Sequence, residues 1–494
     1  MIIRKTIITL IVTAVAVAAF LVYRYHSAPS IRQVVLISMD TTRADYLSCY
    51  GYPHKTTPNI DAVAAEAVRF EHVISPVPLT LPSHSTMMTG TIPPHHGVHD
   101  NLNYTLADSN RTLAEVLKSK GFATGAIIGS YVLESRFGLD QGFDDYDDAF
   151  DETLTDAAGD QRRAGEVSRH AVRWLDEHAN EDFFLFLHYY DPHSPYNPPD
   201  SFKNRFVSRQ SDADSTEKMK LAYAEEIAYT DHCIGQVIDK LKSLGLYDST
   251  LLIITGDHGE GLGEHEETGH GYFIYQESIK VPLVIKLPGS KKARTVKEIA
   301  GLVDIPSTIC SLLEVELPGS FQGQDLSGLL HHEKSELPDR SIYSESLVPT
   351  KYKASPLLAL VSNRFKYIQS TRPELYDLHH DPGETKNLIS QDPHRARLME
   401  DALAARVAGS LAADTGDSRT QLDEESVKKL ESLGYVGGRV DEDYSFDQDR
   451  PDPKDMFKYH IELLEIMLLM RNEDYEAAEK ACQKIVSEGL EFSE

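Results

Sequence analysis

The tightest constraint on the fold comes from three short apolar runs, residues 34–38, 183–187 and 251–255, each closely followed by an aspartate: Asp40, Asp191 and Asp257. Unbroken apolar runs of this length suit strands covered on both faces. Further strand-like runs lie at 70–74, 123–128 and 281–286. Helical periodicity lies between them, at 60–68, 112–120, 165–178 and 218–244, with Gly121 and Gly245 as stops. Strands alternating with helices predict an α/β fold, a mainly parallel sheet flanked by helices on both faces. In such sheets ligands bind beyond the carboxyl ends of the strands, so the three aspartates are expected to share one site.

Hydrophobic residues make up 41% of the 494, enough for a large core. The formal charge of −28 excludes a broad nucleic-acid footprint, and nucleic acid is not an expected partner. The same charge repels anionic substrates, so binding one requires local cations or metal. Cys49, Cys233, Cys310 and Cys482 form no C-x-x-C pair, so a zinc finger has no basis and buried free thiols are expected. Arg4 and Lys5 precede an uncharged run, residues 6–23, long enough to span a hydrocarbon core. The reading is an uncleaved N-terminal membrane anchor in residues 1–30, with the rest extracytoplasmic, in the periplasm or at the cell surface. A cleaved signal peptide using the Ala14-Val15-Ala16 tract is the alternative.

Two carboxylates, an imidazole and a hydroxyl from Asp40, Asp257, His258 and Thr80 form a donor set for one divalent cation: Zn²⁺, Mn²⁺, Mg²⁺ or Ca²⁺. Such a cation lowers the pKa of the Thr80 hydroxyl and makes it a nucleophile. A second metal would draw on Asp191, His193 and His270.

Thr80-Leu81-Pro82-Ser83-His84 resembles the C/S-x-P-S-R nucleophile motif of the sulfatases, within the alkaline phosphatase superfamily. The residues from Ile254 to Glu260 resemble the family's second metal segment. Gly263-Glu264-His265, Gly269-His270-Gly271, Tyr275-Gln276-Glu277-Ser278 and Val281-Pro282-Leu283 continue the likeness, which runs from Val34 to Leu388. The resemblance implies an alkaline-phosphatase-like domain over residues 31–390, closed by a small C-terminal α+β subdomain, and an anionic ester as substrate. It carries metal ligation to Asp40, Asp257 and His258 and the nucleophile to Thr80. In the D-P-H-x-P segment, His193 is expected to contact the transferred group or protonate the leaving oxygen. His270 stands where many sulfatases carry a sulfate-binding lysine. Asn101 resembles the asparagine supporting the nucleophile in nucleotide phosphodiesterases, or is a turn residue. His84 replaces the motif arginine and is expected, with Asn101, to support catalysis, and Thr41 replaces a second metal-binding aspartate.

Threonine cannot become the formylglycine that sulfatases make from Cys or Ser. A sulfated threonine lacks the hemiacetal exit of that group, whereas a phosphorylated one opens by in-line attack at phosphorus. Phosphoryl transfer is therefore expected over sulfuryl transfer, with a true sulfatase as the alternative and a non-catalytic scaffold as a further one. Residues 391–452 read as a helix and an acidic linker. Residues 453–494 read as a helical hairpin, either TPR-like and able to bind a protein partner or docked on the main domain.

Overall fold

The computed structural model describes residues 31–150, 161–206, 214–331, 339–411, 418–435, 437–445 and 449–487. The expected N-terminal anchor lies outside them. Among the described residues no helix is long and apolar enough to cross a membrane.

Eight strands build the main sheet: β1 (Gln33–Met39), β2 (Val68–Phe70), β3 (Ala123–Ile127), β4 (Asp145–Asp147), β5 (Phe183–Tyr189), β6 (Thr250–Gly256), β7 (Leu283–Lys286) and β8 (Arg294–Val296). Their order is β8-β2-β7-β6-β1-β5-β3-β4. Strand β7 runs antiparallel to both of its neighbours, and every other pairing is parallel. The mainly parallel sheet is as expected. The run at 70–74 is divided, however. Residues 68–70 pair with β7 and β8, whereas Val73–Ile74 pairs with Ala300–Gly301 in a separate two-stranded sheet.

Strand β1 is buried throughout, and its side chains alternate between two cores. Val34 and Leu36 enter one; Val35 and Ile37 enter the other. On the second face pack α1 (Pro58–Ala64), α4 (Ala164–Glu177) and α5 (Ser215–Ser243), through residues such as Ile60, Trp174 and Ile234. On the first lie α2 (Thr80–Thr89), α3 (Leu113–Lys118) and α6 (Asp304–Leu312), and beyond them a four-stranded antiparallel sheet. Its strands are β9 (Ile342–Ser346), β10 (Leu357–Val361), β11 (Phe365–Gln369) and β12 (Glu374–Asp377), paired in chain order. Each fully buried Leu, Ile or Phe contributes about 1.5–3 kcal/mol, so this two-sided burial fixes β1 firmly.

Four helices follow: α7 (Pro393–Leu411), α8 (Glu424–Ser432), α9 (Pro453–Arg471) and α10 (Tyr475–Ser487). The last two form a hairpin closed by Ile466, Ala478 and Ile485. It is docked on the main domain: the Phe457 ring packs at a tilt against Tyr272 and Phe273, and the Tyr352 hydroxyl meets His460 Nδ1 at 2.8 Å. The acidic stretch before it, read as a linker, is hydrogen-bonded to the domain it follows. Asp441 N donates to Thr350 Oγ1 at 2.7 Å, Tyr444 OH reaches His99, and Arg450 bridges Asp441 and Asp443. Glu442 accepts from Tyr104 OH at 2.6 Å and pairs with Arg419 at 2.8 Å, partners across the fold that composition does not reveal.

Candidate active site

The register of the three central strands assembles the site. Met39 stands beside both Tyr189 and Gly256, so the residues after β1, β5 and β6 emerge at one edge. Asp40 and the Asp257-His258 pair meet there, with ligand atoms within 4.8 Å of one another. Gly259 is required by close approach, because a Cβ there would lie 1.9 Å from the Glu277 carbonyl oxygen. Thr80 opens α2, whose N-terminus carries partial positive charge. Ser83 ties this helix to β6 by donating to the Asp257 carbonyl at 2.7 Å. His84 ties it to β1: Nδ1 donates to the Thr80 carbonyl at 2.8 Å and Nε2 accepts from Ser38 Oγ at 2.9 Å. Both of its ring nitrogens are thus engaged in positioning the helix.

The outcome is a threonine hydroxyl 3.4 Å from Asp40 Oδ2 and 3.3 Å from His258 Nε2, with all four residues of the cluster fully buried. The donor set fits a divalent cation on its own chemistry. Asp40 Oδ1 and Asp257 Oδ2 are buried without a hydrogen-bond partner. His258 Nδ1 donates to the Gly259 carbonyl at 3.0 Å, which leaves the Nε2 lone pair facing the carboxylates. Burial pushes both carboxyls up, and Asp40 adds to the shift at Asp257. Two such groups side by side stay ionised only opposite positive charge.

The surroundings orient these ligands. His188 accepts from Gly129 N through Nδ1 at 3.3 Å and so donates from Nε2 to Asp40 Oδ2 at 3.1 Å. The backbone N–H groups of Thr41 and His258 hold Asp257 Oδ1 at 3.1 and 2.8 Å. To do so Thr41 takes a φ of 49°, a conformation that strains a β-branched residue.

Asp191 does not join the site. Its carboxylate accepts from the Ala164 backbone N–H at the start of α4 and pairs with Arg163 at 2.9 Å. Among the described residues the cluster of Asp40, Asp257 and His258 is the one with metal-binding geometry, and the second metal loses the carboxylate expected for it.

His193, His270 and Asn101 line the other side. The His193 and His270 rings lie 5.0 Å apart, and the His270 and His258 rings 4.5 Å apart. His270 Nδ1 faces Glu260 Oε1 at 3.3 Å; burial alone lowers its pKa, but this carboxylate raises it above the usual histidine value. His193 differs: Nδ1 donates to the Ser194 carbonyl at 2.6 Å, Nε2 has no partner, and burial, with His270 adding, holds its pKa well below the usual value. Asn101 Oδ1 accepts from Leu81 N at 2.8 Å, and its buried Nδ2 remains available as a donor.

Sequence reasoning missed one residue. Tyr435 OH lies 3.3 Å from Thr80 Oγ1, although the chain separates them by 355 residues. The sole local signal was a glycine and a tyrosine after a helix. A cleft of about 160 Å³ opens outward past His193, His270 and Tyr435 toward Lys351, Phe457 and Ile461.

The sulfatase family model matches residues 32–315, more than half of the chain, and the chain therefore belongs to the sulfatase family. A second model, N-sulphoglucosamine sulphohydrolase, C-terminal, matches residues 263–408. An ulvan-active sulfatase of Formosa agariphila is 27% identical over 456 residues, 83% of this chain and 86% of that protein. An arylsulfatase of Clostridium perfringens is 25% identical, over 74% of this chain and 92% of that one. A phosphonate monoester hydrolase of Agrobacterium radiobacter shares the fold, with a TM-score of 0.66 at 21% identity, covering 77% of this chain and 96% of the other. The protein is an ester hydrolase of this family, whose members depend on metal.

Proposed function

We propose that the protein cleaves phosphate esters by cation-dependent phosphoryl transfer through Thr80. The observation that carries the reading is the Thr80 hydroxyl at the N-terminus of α2, 3.4 Å from Asp40 Oδ2 and 3.3 Å from His258 Nε2. Asp40, Asp257 and His258 would hold the cation, and its positive charge would favour the ionised form of the Thr80 hydroxyl.

In the first half-reaction Thr80 Oγ1, already in its ionised form, bonds to phosphorus as the ester P–O bond breaks. His270, whose imidazolium is supported by Glu260, gives a proton to the departing oxygen. In the second half a water attacks phosphorus and passes a proton to His193 Nε2 as the P–O bond to Thr80 breaks, and Thr80 departs in its ionised form. Proton exchange between the two imidazoles, 5.0 Å apart, resets them. The Asn101 amide donates to the oxyanion.

The second reading, sulfuric ester hydrolysis, is favoured by the names of the sulfatase relatives. Retention of Asp40, Asp257 and His258, every expected cation ligand except the aspartate replaced by Thr41, argues against a non-catalytic scaffold. The test is turnover of an aryl phosphate monoester, an aryl phosphate diester and an aryl sulfate, with and without chelator, beside Thr80→Ala. Chelator-sensitive phosphate turnover lost in the variant is the expected result; turnover of sulfate alone overturns phosphoryl transfer. The proposal extends to an N-terminal anchor holding the domain outside the cytoplasm, which membrane fractionation of the full chain tests. A protein partner for the helical tail is a further part of it, tested by whether substitutions on the exposed face of α10 abolish a co-purifying protein.

A further inference from the structure

Helix α8 is held to the body of the protein along its length. Ser426 Oγ meets Tyr131 OH at 3.0 Å and accepts from Arg136 Nη1 at 2.8 Å, and Leu430 is fully buried. At its end Gly434, with φ at 98°, turns the chain back. Gly434 N donates to the Glu431 carbonyl at 3.0 Å and Tyr435 N to the Leu430 carbonyl at 3.2 Å, a glycine stop that fixes the direction of the next side chain. That side chain enters the active site. Its hydroxyl meets Thr80 Oγ1 at 3.3 Å, and its ring lies 6.3 Å from His193 and 6.2 Å from His270. Both family matches end before it, at residues 315 and 408.

The position of the hydroxyl restricts what it can do. In an in-line displacement the leaving oxygen lies opposite the attacking one, with the non-bridging oxygens between them. A donor within hydrogen-bond reach of the attacking oxygen therefore reaches a non-bridging oxygen and not the leaving group. We infer that Tyr435 is a further catalytic residue, whose phenol O–H donates a hydrogen bond to a non-bridging oxygen of the group passing to Thr80. The inference rests on the Thr80 reading above.

A protein with a net charge of −28 needs preorganised donors to gather an anion, and here Tyr435 adds one to those of Asn101 and His270. The phenol is buried, so its hydrogen bond acts in a medium of low dielectric. Burial, with the Asp40 charge adding, also raises its pKa well above the usual tyrosine value, which keeps it a donor at neutral pH.

The test compares the full-length wild type, Tyr435→Phe and Thr80→Ala on whichever aryl ester, phosphate or sulfate, the wild type turns over. Inhibition by vanadate, a five-coordinate mimic of the transferred group, and the Mn²⁺-dependent rise in melting temperature are measured beside it. The expected result is a fall of about 10²-fold in kcat for Tyr435→Phe. KM and the Mn²⁺ response stay within about twofold of wild type, and vanadate inhibition weakens by a factor similar to that in kcat. A merely structural tyrosine would move KM and the Mn²⁺ response together with kcat, and that outcome overturns the inference. So does unchanged turnover, or faster turnover, which would mark the phenol as a plug. If Tyr435→Phe is fully active while Thr80→Ala is dead, this inference fails and the nucleophile stands. If Thr80→Ala is itself fully active, the nucleophile falls and the inference falls with it.

Discussion

The active site is made from two unlike regions. Its cation side hangs from β1 and β6, adjacent central strands buried on both faces. Its outer side comes from loops and from a carboxy-terminal segment that crosses the domain to deliver Tyr435. On the cation side a few backbone positions are fixed by the sheet itself, so a shift there disturbs the whole core. The outer side is adjusted by a single turn at the end of one helix. Ligand binding is thus tied to fold stability, whereas contacts to the transferred group can change without disturbing the sheet.

Substitutions sharpen this contrast, beginning with the largest effect. Thr80→Ala is expected to lower turnover by at least about 10⁴-fold while leaving the melting temperature of the protein nearly unchanged. Asp257→Asn should abolish the stabilisation by Mn²⁺ or Zn²⁺ seen in thermal melts and reduce turnover by about 10³-fold. His188→Ala removes the donor to Asp40 Oδ2, and the cation affinity read by titration should fall by about 10–100-fold. Gly434→Ala is the smallest and the most telling. The added Cβ meets nothing, so the effect is conformational alone, about 1 kcal/mol of strain at a left-handed position. It should lower kcat several-fold with cation affinity unchanged; equal loss of both would break the division between the two sides.

The legibility of the sequence follows the same division. The central strands could be read because burial on both faces demands unbroken apolar runs, and that demand is local. Thr80, Asp257 and His258 stood in motifs whose glycines and serines serve close approach and helix docking. Asp40 and Asp191 show where local reading fails. Both follow adjacent parallel strands, yet one faces Thr80 and the other accepts from the N-terminus of α4 and pairs with Arg163. Nothing near either aspartate in sequence distinguishes them, because a distant helix makes the difference. Tyr435 was illegible for the same reason. The division of residues 68–74 between two sheets depends on partners more than 200 positions away.

The reach of Tyr435 back to Thr80 also sets an order in time. Thr80, the proposed nucleophile, and the three candidate cation ligands have been synthesised by residue 258, while the phenol beside them emerges 177 residues later. At about 5–20 residues per second, that interval lasts on the order of ten seconds or longer. Through it, a nascent chain can already present Asp40, Thr80, Asp257 and His258 without the phenol that completes the pocket. The same dependence makes a cut between α7 and α8 a means of separating Tyr435 from Thr80 while the central sheet keeps its covalent continuity.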